Sequence, residues 1–194
     1  MTPTDRLAVT SSPISEVIAG RWSPRSFDAG IDITETQLTS ALEAARWSAS
    51  AANTQPWRFI VARRGTPEHA TIVENLLGFN QLWASSAAAL IVNVAETATE
   101  DGTQLRWAEY DLGQAAATLA LQAHKDGLHV HQMGGFDPEG LRTAFALDAR
   151  FEVVSVTALG VLATPDALPN DVLREREIAP RQRKPLDEIL LVNA

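Results

Sequence analysis

Apolar positions along the chain fall into two rhythms. Over "WRFIVAR" (57–63), "AALIVNVA" (88–95) and "FEVVSVTALGVLA" (151–163) they run almost unbroken, which predicts strands covered on both faces. "EILLVN" (188–193) predicts a last strand. Elsewhere the apolar residues recur at intervals of three and four. Leu38, Leu42 and Ala45 share a helical face that ends near Trp47, and Thr34-Glu35-Thr36-Gln37 before them has the spacing of a capping box. A short apolar helix precedes Gly20, and further helical segments are predicted near 67–77, 80–86, 138–146 and 168–176. The longest spans about 104–127. Leu105, Ala108, Leu112, Ala115 and Leu119 form one stripe on it, while Ala116, Ala117, Ala120, Leu121 and Ala123 make the rest nearly as apolar. Such a helix needs cover on more than one side, and its alanines would let a second helix approach closely. The "PDALPNDVLREREIAPRQRKP" stretch reads as a connector wrapping over the surface before the last strand.

Composition narrows the possibilities. A chain of 194 residues, 45% hydrophobic and 21% charged, has the balance of a globular protein and ample length for a core. Its formal net charge of -8 speaks against a nucleic-acid groove or an anionic membrane surface as partner, and makes local arginine clusters informative. The absence of cysteine excludes disulfides, thiol catalysis and thiolate metal sites. The N-terminal stretch lacks the cationic and apolar runs of a secretory signal, and no window approaches the roughly 20 apolar residues of a membrane span. The expected location is cytoplasmic.

Four segments could carry chemistry. In "GRWSPRSF" (20–27) Pro24 stops the helix and leaves Arg21, Ser23 and Arg25 on an ordered turn, a donor set suited to a phosphate. In "SASAANTQPWRF", Asn53 and Gln55 stand in a loop before a strand, where amides can read the edge of a heterocycle. The paired glycines of "HQMGGFD" allow backbone to approach a flat ligand closely. Arg181 and Arg183 in "APRQRKPLDEI" are two apart and share one side of an extended chain. Taken singly, each has an ordinary reading: a basic loop, a local turn, a helix-to-strand connection, a solvated charge run.

Their order and spacing together resemble the nitroreductase family of flavin enzymes, over nearly the whole chain. Arg-x-Ser-x-Arg comes first, Asn-x-Gln-Pro-Trp about thirty residues later, Gly-Phe-Asp past the long helix and Arg-x-Arg near the end. The resemblance implies one FMN-binding domain over 1–194, with α+β architecture in three layers and a central mixed sheet of four or five strands flanked by helices. Arg21 and Ser23, with Arg183 and Arg181, would then hold the FMN phosphate. Arg25 would reach the pyrimidine edge near N1 and O2, where a fixed cation stabilises the charge that reduction brings. Ser50, Ala51, Asn53 and Gln55 match a loop that approaches the flavin of a partner subunit. Asn80 would bond the pyrimidine, Met133, Gly134 and Gly135 would line the region near N5, and Trp22 and Trp83 could border the cofactor.

Three departures stand out. Ala49 occupies a position that is proline in many members, Gly134 one that is glutamate in some, and the 96–104 segment is short where several subfamilies insert a lid. The implied activity is an FMN-dependent NAD(P)H oxidoreductase that reduces nitroaromatics, quinones or similar flat acceptors by ping-pong hydride transfer. It would act as a homodimer with shared active sites. Alternatives are a flavin store or sensor without turnover, and a reductive dehalogenase or flavin-fragmenting enzyme, against which the short 96–104 link argues. His129 and His131 could share one face of an extended segment, but no third ligand has plausible spacing, so no metal is expected.

Overall fold

The computed structural model describes residues 6–192. Four strands, β1 (Trp57–Arg63), β2 (Ala89–Glu96), β3 (His129–Met133) and β4 (Phe151–Gly160), form one sheet in the order β1-β2-β4-β3. Among the described residues seven helices accompany them: α1 (Glu16–Gly20), α2 (Glu35–Arg46), α3 (Pro67–Glu74), α4 (Ala108–Lys125), α5 (Pro138–Ala144), α6 (Asp171–Ile178) and α7 (Leu186–Ile189). All three strand pairings are antiparallel, where a mixed sheet was expected. The cause lies in the connections. The excursion through α3 returns to the end of β1 that it left, setting Ala89 opposite Arg63. Helix α4 carries the chain back along the sheet, so β3 runs in the direction of β2; β4 then lies between them, opposed to both.

Strand β2 is buried at every position, as its unbroken apolar run requires. Its side chains alternate between two cores. Leu90, Val92 and Val94 join Ile72, Leu141 and Leu173 from α3, α5 and α6. Ala89, Ile91 and Ala95 join Leu38, Ala41, Leu112 and Leu119 from α2 and α4. Helix, sheet and helix thus stack in three layers. The α2 capping box is complete: Gln37 N–H donates to Thr34 Oγ1 at 3.2 Å, and Thr34 N–H to Gln37 Oε1 at 3.0 Å.

Four expectations need correction. The first concerns α4, whose Ala115, Ala116, Ala120 and Ala123 are already buried within the chain, between the sheet, α2 and α1. Ala117 is the exposed one of the five. Second, β3 lies outside the expected strands. It is an edge strand with two histidines and a glutamine, so its apolar run is too broken to announce it. Third, residues 80–86 hold two 3-10 turns, Gly78–Leu82 and Ala84–Ser86, instead of a helix. Fourth, no strand forms over 188–192, and Asn193 lies outside the described residues. Leu186–Ile189 is one helical turn, and Leu191 and Val192 are 97% and 82% exposed. A strand exists only against a pairing edge, and this segment meets none among the described residues.

The 96–104 segment is a compact turn closed by a bridge between Ala98 and Gln104. Thr103 N–H donates to Thr99 Oγ1 at 3.1 Å. No helix of the described residues is long and apolar enough to cross a membrane.

Candidate active site

Helix α1 ends at Gly20, packed so tightly on α4 that a Cβ there would lie 2.8 Å from His124 Nε2. Arg21 turns extended (φ -66°, ψ 130°) and Pro24 prevents the helix resuming. The turn that follows is anchored from beneath. His131 Nδ1 lies 2.8 Å from the Pro24 carbonyl, which can only accept, so the ring nitrogen donates. Arg25 N–H donates to both Glu177 oxygens at 2.9 and 3.1 Å, and Ser26 N–H to one of them at 3.2 Å. Ser26 Oγ donates to the Thr164 carbonyl at 2.6 Å.

The side chains above this floor line a cavity of about 240 Å³, bordered by Arg6, Arg21, Trp22, Ser23, Arg25, Arg176, Arg181 and Arg183. The structure therefore brings together all five cationic or hydroxyl residues expected at the phosphate and pyrimidine. They do not stand alike. Arg181 is committed to backbone, donating to the carbonyls of Arg6 and Ala19 at 2.6 Å and of Arg21 at 2.9 Å. It pins the N-terminal segment in place. Arg183 is exposed and, among the described residues, donates only to its neighbour, the Gln182 carbonyl, at 2.7 Å. Arg21 reaches Ser23 Oγ at 3.4 Å. The half-buried Arg25 guanidinium has no hydrogen bond or ion pair among the described residues. Trp22, 8% exposed, is core: Arg6 stacks on its ring at 4.2 Å and His129 meets it edge-on.

The guanidiniums are crowded. Burial, and then the charge of Arg183, lowers the Arg21 pKa. Arg181 is lowered by burial and by Arg21, Arg183 and Arg6. Burial also lowers Arg25; Glu177 offsets part of this and Arg176 adds to it. Cations held this close gain from any anion placed among them.

A groove of about 450 Å³ adjoins the cavity, sharing Arg21 and Ser23 and continuing over Ile18, Ala117, Leu121, Val130 and Gln132. Just past Gln132 the chain reaches Gly134, where a Cβ would meet nothing within 4 Å. The protein's own packing therefore leaves open space over this glycine. Gly135 is packed: its carbonyl accepts from Leu77 N–H at 3.0 Å and Asn80 Nδ2 at 3.1 Å, and a Cβ would lie 2.9 Å from that nitrogen. Asn80 thus keeps its carbonyl for any further partner. Met133 is a core residue at 2% exposure and does not line the groove, where it was expected beside the flavin.

The Ser50–Gln55 loop lies elsewhere. Ala51 N–H donates to Asp111 Oδ2 at 3.0 Å, in the first turn of α4, whereas the groove is bordered by Leu121. Ten residues of helix separate the two by about 15 Å. Ala52, Asn53 and Gln55 all have positive φ (50°, 56° and 49°), and Asn53 and Gln55 are exposed. The four expected residues of this loop are not brought to the cavity of their own chain.

His131, its ring tilted against Trp83 with centroids 4.7 Å apart, and His129 both have pKa values pushed down to about 4, chiefly by burial. Among the described residues no group of three His, Asp or Glu side chains is arranged to hold a metal. Trp83 is core, 2% exposed and stacked on Phe27, and does not border the cavity. Trp47 and Trp107 are 75% and 51% exposed. Each caps an end of a helix, where only one side can pack.

Sequence reasoning missed Arg6, Arg176, Glu177, His131 and Asp111 as parts of these two sites. Nothing in "REREIAP" separates Glu177 from its exposed neighbour Glu175.

The family model for the nitroreductase family matches residues 18–161, and the chain belongs to that family. Membership places it among flavin-dependent oxidoreductases. A solved structure described as an oxidoreductase containing FMN superposes with a TM-score of 0.88 at 33% identity, covering 94% of this chain and 93% of that one. An uncharacterized 15.4 kDa protein of Mycolicibacterium smegmatis is 34% identical over 148 residues, 68% of this chain and 92% of the relative. YdgI of Bacillus subtilis strain 168, named as a proposed NAD(P)H nitroreductase, is 24% identical over 86% of this chain and 99% of its own length.

Proposed function

We propose that the chain is a single FMN-binding domain acting as a cytoplasmic NAD(P)H oxidoreductase on flat acceptors such as nitroaromatics or quinones. One observation carries this reading: a cavity of mutually repelling guanidiniums opens into a groove through the shared Arg21 and Ser23. A phosphate suits the first and the body of a flavin the second. The open space over Gly134 gives a ring system room beside the backbone. The FMN-containing relative of 33% identity supports the same cofactor.

Bound there, FMN would supply the hydride chemistry that alternates between NAD(P)H and the acceptor. The chain's own residues would hold and bias it. Arg21, Ser23 and Arg183 bind the phosphate, while Arg181 keeps the backbone beneath them in place. The Arg25 guanidinium, unpaired and half-buried, offers charge to the pyrimidine edge. Burial holds the pKa values of His129 and His131 near 4, so both rings are neutral at pH 7 and neither serves as a cationic general acid.

The Ser50–Gln55 loop is too far from the cavity of its own chain, which supports a two-fold dimer whose loop completes the partner's site. Such an interface is expected to bury more than about 2,000 Å². Because Ala116 is internal, the test of the interface is Ala117→Glu, on the exposed side of α4. That variant should sediment as a monomer; Ala117 also lines the groove, so the sedimentation, not flavin loss, reports on the interface. A wild-type protein that is monomeric and retains its flavin defeats the shared-site arrangement. The cofactor is tested by denaturing the protein and chromatographing the supernatant. FMN is expected at about one per chain, because Arg21, Ser23 and Arg183 meet at one cavity; FAD, or no flavin after incubation with FMN, rejects the reading.

A further inference from the structure

Two segments far apart in sequence bring cations to the cavity, and one carboxylate joins them. Glu177 lies in the last turn of α6, at 2% exposure. The chain that leaves α6 carries Arg181 and Arg183, while the oxygens of Glu177 take the N–H groups of Arg25 and Ser26. A carboxylate beside arginines is commonly a counter-ion. Here the geometry differs, because among the described residues Glu177 forms no ion pair with any guanidinium. Its three hydrogen bonds go to backbone.

That choice has a consequence for Arg25. A carboxylate accepting from two successive N–H groups fixes the orientation of the peptide between them, and with it the direction in which the Arg25 side chain leaves the turn. It also leaves the Arg25 guanidinium uncommitted. Burying a carboxylate is costly unless its oxygens are satisfied, so the arrangement holds only with both N–H groups in place.

We propose that Glu177 is the positioning residue for Arg25, acting through the backbone of the turn so that the guanidinium is presented to the cavity. The proposal rests on the reading of the cavity as a flavin site. Glutamine at 177 keeps the volume but turns an NH2 group toward backbone N–H groups, losing at least one bond.

The test pairs a kinetic cycle with a measurement that needs no cofactor. At saturating FMN, Glu177→Gln should slow flavin reduction by NAD(P)H about tenfold, the size of one lost charge-assisted bond. The double variant Glu177→Gln, Arg25→Ala should be no slower than Arg25→Ala alone, since Glu177 acts only through that side chain. Rates that multiply in the double variant overturn the proposal, because a general structural role gives that result. Amide exchange of Arg25 and Ser26, followed by NMR on the flavin-free protein, should accelerate about tenfold or more in Glu177→Gln with the β2 amides unchanged. Unchanged exchange at Arg25 and Ser26 also overturns it. If the wild type takes up no FMN, the functional reading fails, and the exchange measurement still decides whether the clasp exists. Should Glu177→Gln not fold, Glu177→Asp retains the charge one methylene short and carries both comparisons.

Discussion

The arginine turn and the Ser50–Gln55 loop are both short, polar and irregular, yet they are held in opposite ways. The turn has its backbone fixed from inside, by His131 on Pro24 O, Glu177 on two N–H groups and Ser26 on Thr164 O. Its side chains Arg21, Ser23 and Arg25 are left facing a cavity. The loop has one buried anchor, Asp111 at 2% exposure, and an exposed one, Arg58 Nη1 donating to the Gln55 carbonyl at 2.9 Å; its other recorded bonds are internal, as in Gln55 N–H to Ser50 Oγ at 3.1 Å. Three of its residues without special need for it sit at positive φ, a conformation that costs of order 1 kcal/mol each and gathers at functional segments. The turn is complete within one chain. The loop lies away from the cavity of its own chain, as the proposed shared site requires.

The comparison breaks most sharply at Arg25. If the turn separates phosphate binding from support of the reacting ring, Arg25→Ala should slow flavin reduction by about 10²-fold, in the range of other lost electrostatic donors, while FMN affinity changes little. Arg183→Ala should do the reverse, weakening FMN retention with the reduction rate at saturation preserved. Rapid-mixing reduction and flavin titration separate the two. Equal effects on both quantities from either variant contradict the division of roles.

How much of this was legible depends on the range of the interaction. Strand β2 and the α2 cap announce themselves because continuous apolar burial and a Thr34–Gln37 exchange are local. Strand β3 does not, since an edge strand with water on one side needs no apolar run. The end of the chain misleads for the opposite reason: "EILLVN" has the composition of a strand, but pairing depends on an edge that composition cannot supply. In the site, Arg21, Ser23, Arg25, Arg181 and Arg183 were found by their order, and they meet at one cavity. The division of labour between Arg181 and Arg183 was not, because it depends on three carbonyls 160 to 175 residues distant. The anchors were hidden likewise. Glu177 and His131 reach the turn across 152 and 107 residues, and Asp111 reaches the loop across 60.

Acid should loosen the turn before the loop. His131 in the folded protein has a pKa of about 4, below the value near 6.5 of an exposed imidazole. The unfolded chain therefore binds this proton more tightly. The stabilisation is intact above about pH 6.5 and is lost as pH falls toward 4, at up to about 1.4 kcal/mol per pH unit. His129, also near 4, adds in the same direction. Urea unfolding at pH 7.5 and pH 5.0 should show the loss. His131→Asn keeps a donor for the Pro24 carbonyl without a titrating ring, so its curve should be flatter by about one proton. A wild-type midpoint that does not move over this range contradicts the buried, neutral ring.

The smallest expected effect sharpens the other side of the comparison. Ala52 has φ 50° and ψ 23° in the middle of the loop, a left-handed conformation that glycine adopts without strain. Ala52→Gly removes a cost of about 1–2 kcal/mol from the folded state. It also adds flexibility to the unfolded chain, which returns roughly 0.4–1 kcal/mol. The difference favours the variant by about 0.5 kcal/mol, or a rise of about 1–2 °C in Tm for a chain of this size. Function should move the other way. A loop held from outside by only the Asp111 and Arg58 side chains among the described residues loses part of its preorganisation when the strained position is relaxed. Flavin should then be retained slightly less well, by about twofold, in a protein that unfolds at a slightly higher temperature. The arginine turn offers a control, since none of its non-glycine residues has positive φ and no such exchange is available there. A lower Tm for Ala52→Gly would show that the surroundings already compensate the strain, and would remove the distinction between a loop held by conformation and a turn held by bonds.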